Sequence, residues 1–286
     1  LILRGRQTDP AMVVIVLSDD GGWGETEEEL ARVADEAGAL VAGVDAKRYF
    51  ANVARKNYEP NVSHELESMS KYVQKSLSLP RLTAPILIGH GAGGGIVYAS
   101  LAQAPAGTVP AGRRLGFRPE LKLAQPFGGG RGLTWKRTDG GIRYEPFTKA
   151  LIPWTVIQAQ NDPVFPETAL RGFIGGMDGV KTEILTGAAG YDDTAAWRDL
   201  VRGTLTAHAQ SSPARGTESR GGVDDLPLVE VSAKGQATDT LAVFVTGDGG
   251  WAGIDKDIAA VLAENGIGVV GLDSMKYFWT RRTPEG

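Results

Sequence analysis

The 286-residue chain contains no cysteine. Disulfides, thiolate catalysis and cysteine-based metal sites are therefore excluded. The redox compartment stays open, because a chain without thiols is compatible with any. Histidine is nearly as scarce, at positions 64, 90 and 208 only. No metal-ligand cluster of the His/Cys type can be assembled from these, and no cofactor is implied. No apolar run approaches the roughly 18 residues that a membrane span needs, so no transmembrane segment is expected. A net charge of −4 provides no electrostatic footprint for nucleic acid or an anionic membrane. The chain opens on Leu1 without a signal peptide, as expected of a processed or excised piece. What remains is 42% hydrophobic and 22% charged, enough for a real core in one large domain or two small ones.

One further absence carries more information. Residues 85–101 read Pro-Ile-Leu-Ile-Gly-His-Gly-Ala-Gly-Gly-Gly-Ile-Val-Tyr-Ala-Ser-Leu. An apolar strand runs into a glycine turn and then into a helix. This resembles the nucleophile elbow of α/β-hydrolases, written G-x-S-x-G. Gly89-His90-Gly91-Ala92-Gly93 keeps both flanking glycines and places Gly91 where the serine belongs. Glycine has no atom that can attack a carbonyl. Gly89, Gly91 and Gly94 also fit a dinucleotide fingerprint, but three elements precede it and residues 104–116 contain no acid for a ribose.

An internal repeat organises the chain. Residues 13–50 and 241–278 align without a gap at an offset of 228, with 13 identities in 38 columns. Asp20-Gly21-Gly22-Trp23 matches Asp248-Gly249-Gly250-Trp251, Asp45 matches Asp273, and Tyr49-Phe50 matches Tyr277-Phe278. A period this long predicts tandem domains. One unit is expected over 1–208, a Ser/Gly/Arg-rich linker over 209–228, and the opening βαβ piece of a second unit over 229–286.

Within the first unit, strands are expected at 13–17, 39–44, 84–88, 114–123, 132–144, 152–158 and 182–185. Helices are expected at 26–37 with Thr26 as N-cap, and at 63–77, 93–103, 166–176 and 193–207. Alternation of this kind predicts an α/β fold, a mostly parallel sheet with helices on both faces.

Three candidate sites and one vacant position follow. The amides after Gly91, beginning with Ala92, open a helix and suit an anion; the same glycines also serve close helix–strand packing. The Asp20-Gly21-Gly22-Trp23 loop follows a buried strand, where hydrolases place an oxyanion-hole amide, with Trp23 as a roof; it also reads as a repeated turn with a core tryptophan. Asp162 follows a late strand, the place of a triad acid, and also fits an Asx turn before Pro163. The triad histidine is missing, since Ala189 or Gly190 stands in its loop. Gly91, Asp162 and Ala189 thus mark a degenerate triad with no assembled catalytic site. A converging anion site is expected from Ala92 and the Asp20–Gly22 loop, with Asp162 at its rim.

The chain also resembles the bacterial virulence protein VirJ/AcvB family. The resemblance rests on Asp-Gly-Gly-Trp followed by Val44–Phe50, and on Gly247–Trp251 with Gly271–Trp279 and Arg282–Glu285. It extends through Pro153-Trp154, 158–162 and Leu185–Gly187. The resemblance implies an α/β-hydrolase-like periplasmic protein that hydrolyses aminoacylated phospholipid such as lysyl-phosphatidylglycerol. It further implies a link to virulence and type IV secretion, so an anionic or aminoacylated phospholipid headgroup and secretion-system proteins are the expected partners. Two-domain members carry the serine and histidine in their second unit. For this chain two readings stand: a non-catalytic lipid- or partner-binding domain, or an enzyme by another route with Asp162 activating water. The first is expected.

Overall fold

The computed structural model describes residues 2–5, 9–104, 111–128, 132–147, 152, 154–211, 226–236 and 238–279. The chain divides into two compact units, Leu1–Ser78 with Thr83–Ser212, and Leu79–Leu82 with Pro213–Gly286.

The first unit runs β1 (Ile2–Arg4), β2 (Met12–Leu17), α1 (Glu25–Glu36), β3 (Ala39–Val44), α2 (Ala46–Lys56), α3 (Val62–Ser76), β4 (Ile86–His90) and α4 (Ala92–Gln103). It continues with β5 (Gly112–Leu115), β6 (Glu120–Leu121), β7 (Trp135–Thr138), β8 (Gly141–Tyr144), β9 (Trp154–Ala159), α5 (Glu167–Ile174), β10 (Val180–Leu185) and α6 (Ala195–Ser211). Seven strands form one sheet in the order β1-β3-β2-β4-β5-β9-β10. All pairs are parallel except β1, an antiparallel edge on β3. Three short antiparallel strands form a side sheet, β6-β8-β7.

The period of two sorts β2 between two cores. Met12, Val14 and Val16 face α1 and α6, where they meet Leu30, Val33, Trp197 and Leu205. Ile15 and Leu17 face the opposite layer, with Phe50, Ile96, Val97 and Phe173. Each such side chain contributes about 1.5–3 kcal/mol by leaving water. Every residue of α4 is buried. Its glycines permit this, since a Cβ on Gly93 or Gly95 would strike the carbonyl oxygens of Leu17 or Arg118.

Several boundaries differ from expectation. Helix α1 is capped by Gly24, not Thr26, because the Glu27 side chain reaches back to accept from the Gly24 N–H. Helix α2 was not foreseen: only Ala46, Phe50 and Val53 of it are buried, so its apolar stripe is thin, and Asp45 caps it by accepting from Arg48 N–H. The strand expected over 114–123 is two short ones, interrupted where Gly116 takes φ +71°. The expected 132–144 strand is the β7–β8 hairpin. Helix α6 extends to Ser211, into the expected linker, and residues 212–225 lie outside the described residues.

The second unit runs β11 (Leu228–Val231), β12 (Leu241–Val245), α7 (Ile254–Glu264), β13 (Gly268–Leu272) and α8 (Ser274–Tyr277). Its sheet order is β11-β13-β12, with β11 antiparallel and β12 parallel to β13. An antiparallel strand therefore precedes the expected βαβ piece, as β1 precedes β2. The two units share local chemistry as well as topology. Ser18 Oγ accepts from Ala46 N–H, and Thr246 Oγ1 accepts from Ser274 N–H. Asp45 and Asp273 cap the following helices. Gly43 and Gly271 lie under the rings of Trp23 and Trp251, so that a Cβ on either glycine would run into indole carbons.

Gly43→Val is expected to displace the Trp23 ring and lower unfolding free energy by about 1–3 kcal/mol, read by urea denaturation and tryptophan emission. An unchanged midpoint would mean that the Trp23–Gly43 contact carries no packing constraint.

Candidate functional site: a filled elbow

Strand β4 sits at the centre of the sheet and delivers the chain into Gly91, at φ +52° and ψ −111°, before α4 begins at Ala92. Only glycine adopts this backbone cheaply; other residues are strained by about 1–3 kcal/mol. A nucleophile elbow has this form. What differs is the space beside it. A Cβ on Gly91 would lie 2.5 Å from Asp19 Oδ1 and 3.1 Å from Asp19 Oδ2. The carboxylate of Asp19 stands where a nucleophile side chain would project.

Asp19 is held there from two directions. Its Oδ1 accepts from the Ala92 N–H at 2.8 Å and from Arg118 Nη1 at 3.0 Å. Its own N–H donates to Glu27 Oε1 at 3.1 Å, and its carbonyl accepts from the Gly22 N–H at 3.0 Å. The amide of Ala92, expected to face an external anion, already carries an internal one. Asp20 turns to the cationic side: Oδ1 lies 3.5 Å from Arg118 Nη1 and Oδ2 lies 2.8 Å from Lys122 Nζ. The hydrogen bond and charge of Asp20 raise the Lys122 ammonium above its ordinary 10.5. Gly21 has open space around it. Trp23 does not roof this place; it lies on Gly43 and donates from Nε1 to Glu28 Oε1 at 2.6 Å.

Behind Asp19 lies a buried pair. Glu27, 3% exposed, places Oε1 2.6 Å from His90 Nδ1. Burial pushes the Glu27 carboxyl up, but the His90 contact and the amides of Asp19 and Gly24 outweigh it, and the net direction is down. The His90 ring meets Tyr191 edge-on at 5.5 Å. Tyr191 belongs to the loop after β10 in which a triad histidine was sought. Its hydroxyl donates to Asp162 Oδ2 at 3.1 Å and accepts from the Ala159 N–H at 3.1 Å. Burial raises the Tyr191 hydroxyl far above its ordinary value, so it cannot serve as a base near neutrality.

Asp162 is 5% exposed and lies inside, not at a rim. Its Oδ1 accepts from the amides of Val164 at 2.8 Å and Phe165 at 3.1 Å, the geometry of an Asx turn. Gln158 Nε2 contacts Oδ2 at 3.4 Å. Ala189 is exposed in its loop and Gly190 half-exposed; neither offers a side chain that can take a proton. Among the described residues no group of three or more His, Asp or Glu side chains could hold a metal ion. Sequence reading missed Asp19, Glu27 and Arg118. One signal was available: the repeat sets Asp19 against Gly247, so the acid departs from its own counterpart.

The sheet order, the positive-φ elbow and the buried helix behind it define an α/β-hydrolase-like protein. Among solved structures, the chain is similar to the esterase domain of a Rhodothermus marinus protein, at 14% identity and TM-score 0.47, covering 73% of this chain and 90% of that one. It is also similar to ferulic-acid-bound Est1E from Butyrivibrio proteoclasticus (14%, 0.48; 73% and 93%) and to an α/β serine hydrolase homologue from Coxiella burnetii (17%, 0.44; 72% and 89%). No curated protein matches the chain. The chain belongs to the bacterial virulence protein (VirJ) family, whose profile matches residues 11–116 and 239–286.

Two predictions follow from the geometry. Gly91→Ser is expected to destabilise by about 1–3 kcal/mol through backbone strain and collision with Asp19. Combining it with Asp19→Gly is expected to cost less than the sum of the single changes, by about 1 kcal/mol. Strict additivity in chemical denaturation would mean that Asp19 does not occupy the elbow. For Glu27, the folded carboxyl lies below its ordinary 4.5, so its stabilisation is present above pH 4.5 and is lost as pH falls through the lower folded value. Glu27→Gln should flatten that acid limb in thermal melts, while an unchanged limb would dismiss the buried pair as its source.

Proposed function

We propose that the first unit is a non-catalytic hydrolase-like domain that binds rather than cleaves. The observation that supports this reading is the Asp19 carboxylate on the Ala92 amide. The group that would polarise a substrate carbonyl is already neutralised, in a turn that lacks a nucleophile. Asp162 offers no substitute route, since both of its oxygens are engaged in the interior. Activation of water by Asp162 is therefore the weaker reading.

The surface side of the cluster fits a headgroup carrying both signs of charge. Lys122 is 77% exposed at its side chain and pairs with Asp20. An aminoacylated phospholipid presents a phosphate and an ammonium, and its phosphate could pair with the exposed Lys122 at small cost, because surface ion pairs contribute only about 0–1 kcal/mol. By its family resemblance, we place the parent among periplasmic AcvB-type proteins hydrolysing aminoacyl-phospholipid, lysyl-phosphatidylglycerol in type, with catalysis in a second unit and with ties to type IV secretion.

The test separates binding from turnover. Vesicles of phosphatidylcholine, alone or with phosphatidylglycerol or lysyl-phosphatidylglycerol, are incubated with the chain. Co-sedimentation and free lysine are measured in the same samples. Selective co-sedimentation with lysyl-phosphatidylglycerol vesicles, weakened several-fold in Asp20→Ala and Lys122→Ala, is the expected result, with no lysine above buffer and no labelling by fluorophosphonate probes. Lysine release or serine labelling would overturn the non-catalytic reading. Equal sedimentation with all three vesicles would overturn the headgroup reading.

A further inference from the structure

Away from the elbow, the first unit also buries a cation. Arg114, on β5, is 1% exposed and sits inside the aromatic core. Its guanidinium carbon lies 3.7 Å from the Trp154 ring centroid, and 5.7 Å from those of Tyr98 and Phe117. Its Nε donates to the Gly94 carbonyl at 3.0 Å. Both terminal nitrogens, Nη1 and Nη2, are buried and have no hydrogen-bond partner among the described residues. Arg114 lines a cavity of about 10 Å³ together with Tyr98, Leu101, Phe147, Ile152, Trp154 and Met177. Among the described residues, no carboxylate lines it.

A guanidinium does not solve this by losing its proton, because it stays charged in proteins. Burial nonetheless strongly disfavours its charged form. The Trp154 face attracts the cation from one side but accepts none of the in-plane N–H groups. One water could accept two of them, since the cavity has space for about one water-sized sphere. A water would leave the positive charge uncompensated among apolar side chains, and an uncompensated buried charge is costly.

We propose that the Arg114 cavity is a binding site for a single small monovalent inorganic anion of halide size, bridged by Nη1–H and Nη2–H. The ion supplies the missing charge and the missing acceptor together. Its size is matched to the cavity's volume of about 10 Å³. The site is independent of the Asp19 cluster, so this proposal does not depend on the headgroup reading above.

The experiment uses the whole chain. Thermal unfolding is followed while chloride replaces gluconate at constant ionic strength. The melting temperature is expected to rise with chloride and then saturate, as for a ligand that binds only the folded state. A crystal soaked in bromide should show an anomalous peak in the plane of the Arg114 guanidinium. Arg114→Met, which removes the charge and keeps the apolar stem, should weaken the apparent chloride affinity by at least about tenfold. Should Arg114→Met fail to fold, the bromide peak in the unaltered chain decides. A melting temperature that does not respond to chloride, together with density for water only, overturns the proposal.

Discussion

The carboxylate of Asp19 holds three distant parts of the chain at one point. It lies in the loop after β2, bonds the first amide of α4, 73 residues away, and pairs with Arg118, beyond β5. These are the ends of neighbouring strands at the middle of the sheet, where open α/β sheets bind ligands. Glu27 is positioned by the Asp19 amide, and His90 by Glu27. Asp20, next in sequence, is consequently left to the surface cations. A hydrogen bond from an ionic partner at an otherwise orphaned helix amide contributes about 1.5–3 kcal/mol, and here one residue supplies the acceptor for both the amide and the arginine.

Comparison of the two units separates scaffolding from site. Both keep the hydroxyl at Ser18 or Thr246, the capping acid at Asp45 or Asp273, and the tryptophan laid on a glycine. These features shape the turn between first strand and helix whatever the turn is used for. The residue that fills the elbow is not shared. Position 247 is glycine, with nothing near the place a Cβ would occupy. The carboxylate that accepts from the Ala92 amide in the first unit thus has no counterpart at the matching position of the second.

Much of this was legible in the sequence. β-Branched apolar runs marked β2 and β3, the repeat marked β12 and α7, and the flanking glycines marked the elbow and its missing serine. What escaped was of two kinds. Helix α2 and strand β1 bury little apolar surface, so periodicity carried almost no signal. The pairs Asp19–Ala92, Glu27–His90 and Arg118–Asp19 join residues separated by 63 to 99 positions, and local pattern does not encode such distances. Asp162 shows the opposite difficulty. Its position after a late strand suited a triad acid, and its Asn-Asp-Pro context suited an Asx turn. The fold realises the turn, with Tyr191 as the side-chain partner in the histidine's loop.

The positive φ of Gly91 has a consequence for how such a chain can change over generations. A serine introduced there meets a strained backbone and a space occupied by Asp19. Loss of Asp19 first would strip an acceptor from a helix start and a partner from an arginine. Each first step is expected to lower stability, and a marginally stable fold tolerates few such steps. Gly91 and Asp19 therefore constrain one another, and exchange at either is easiest when both change together.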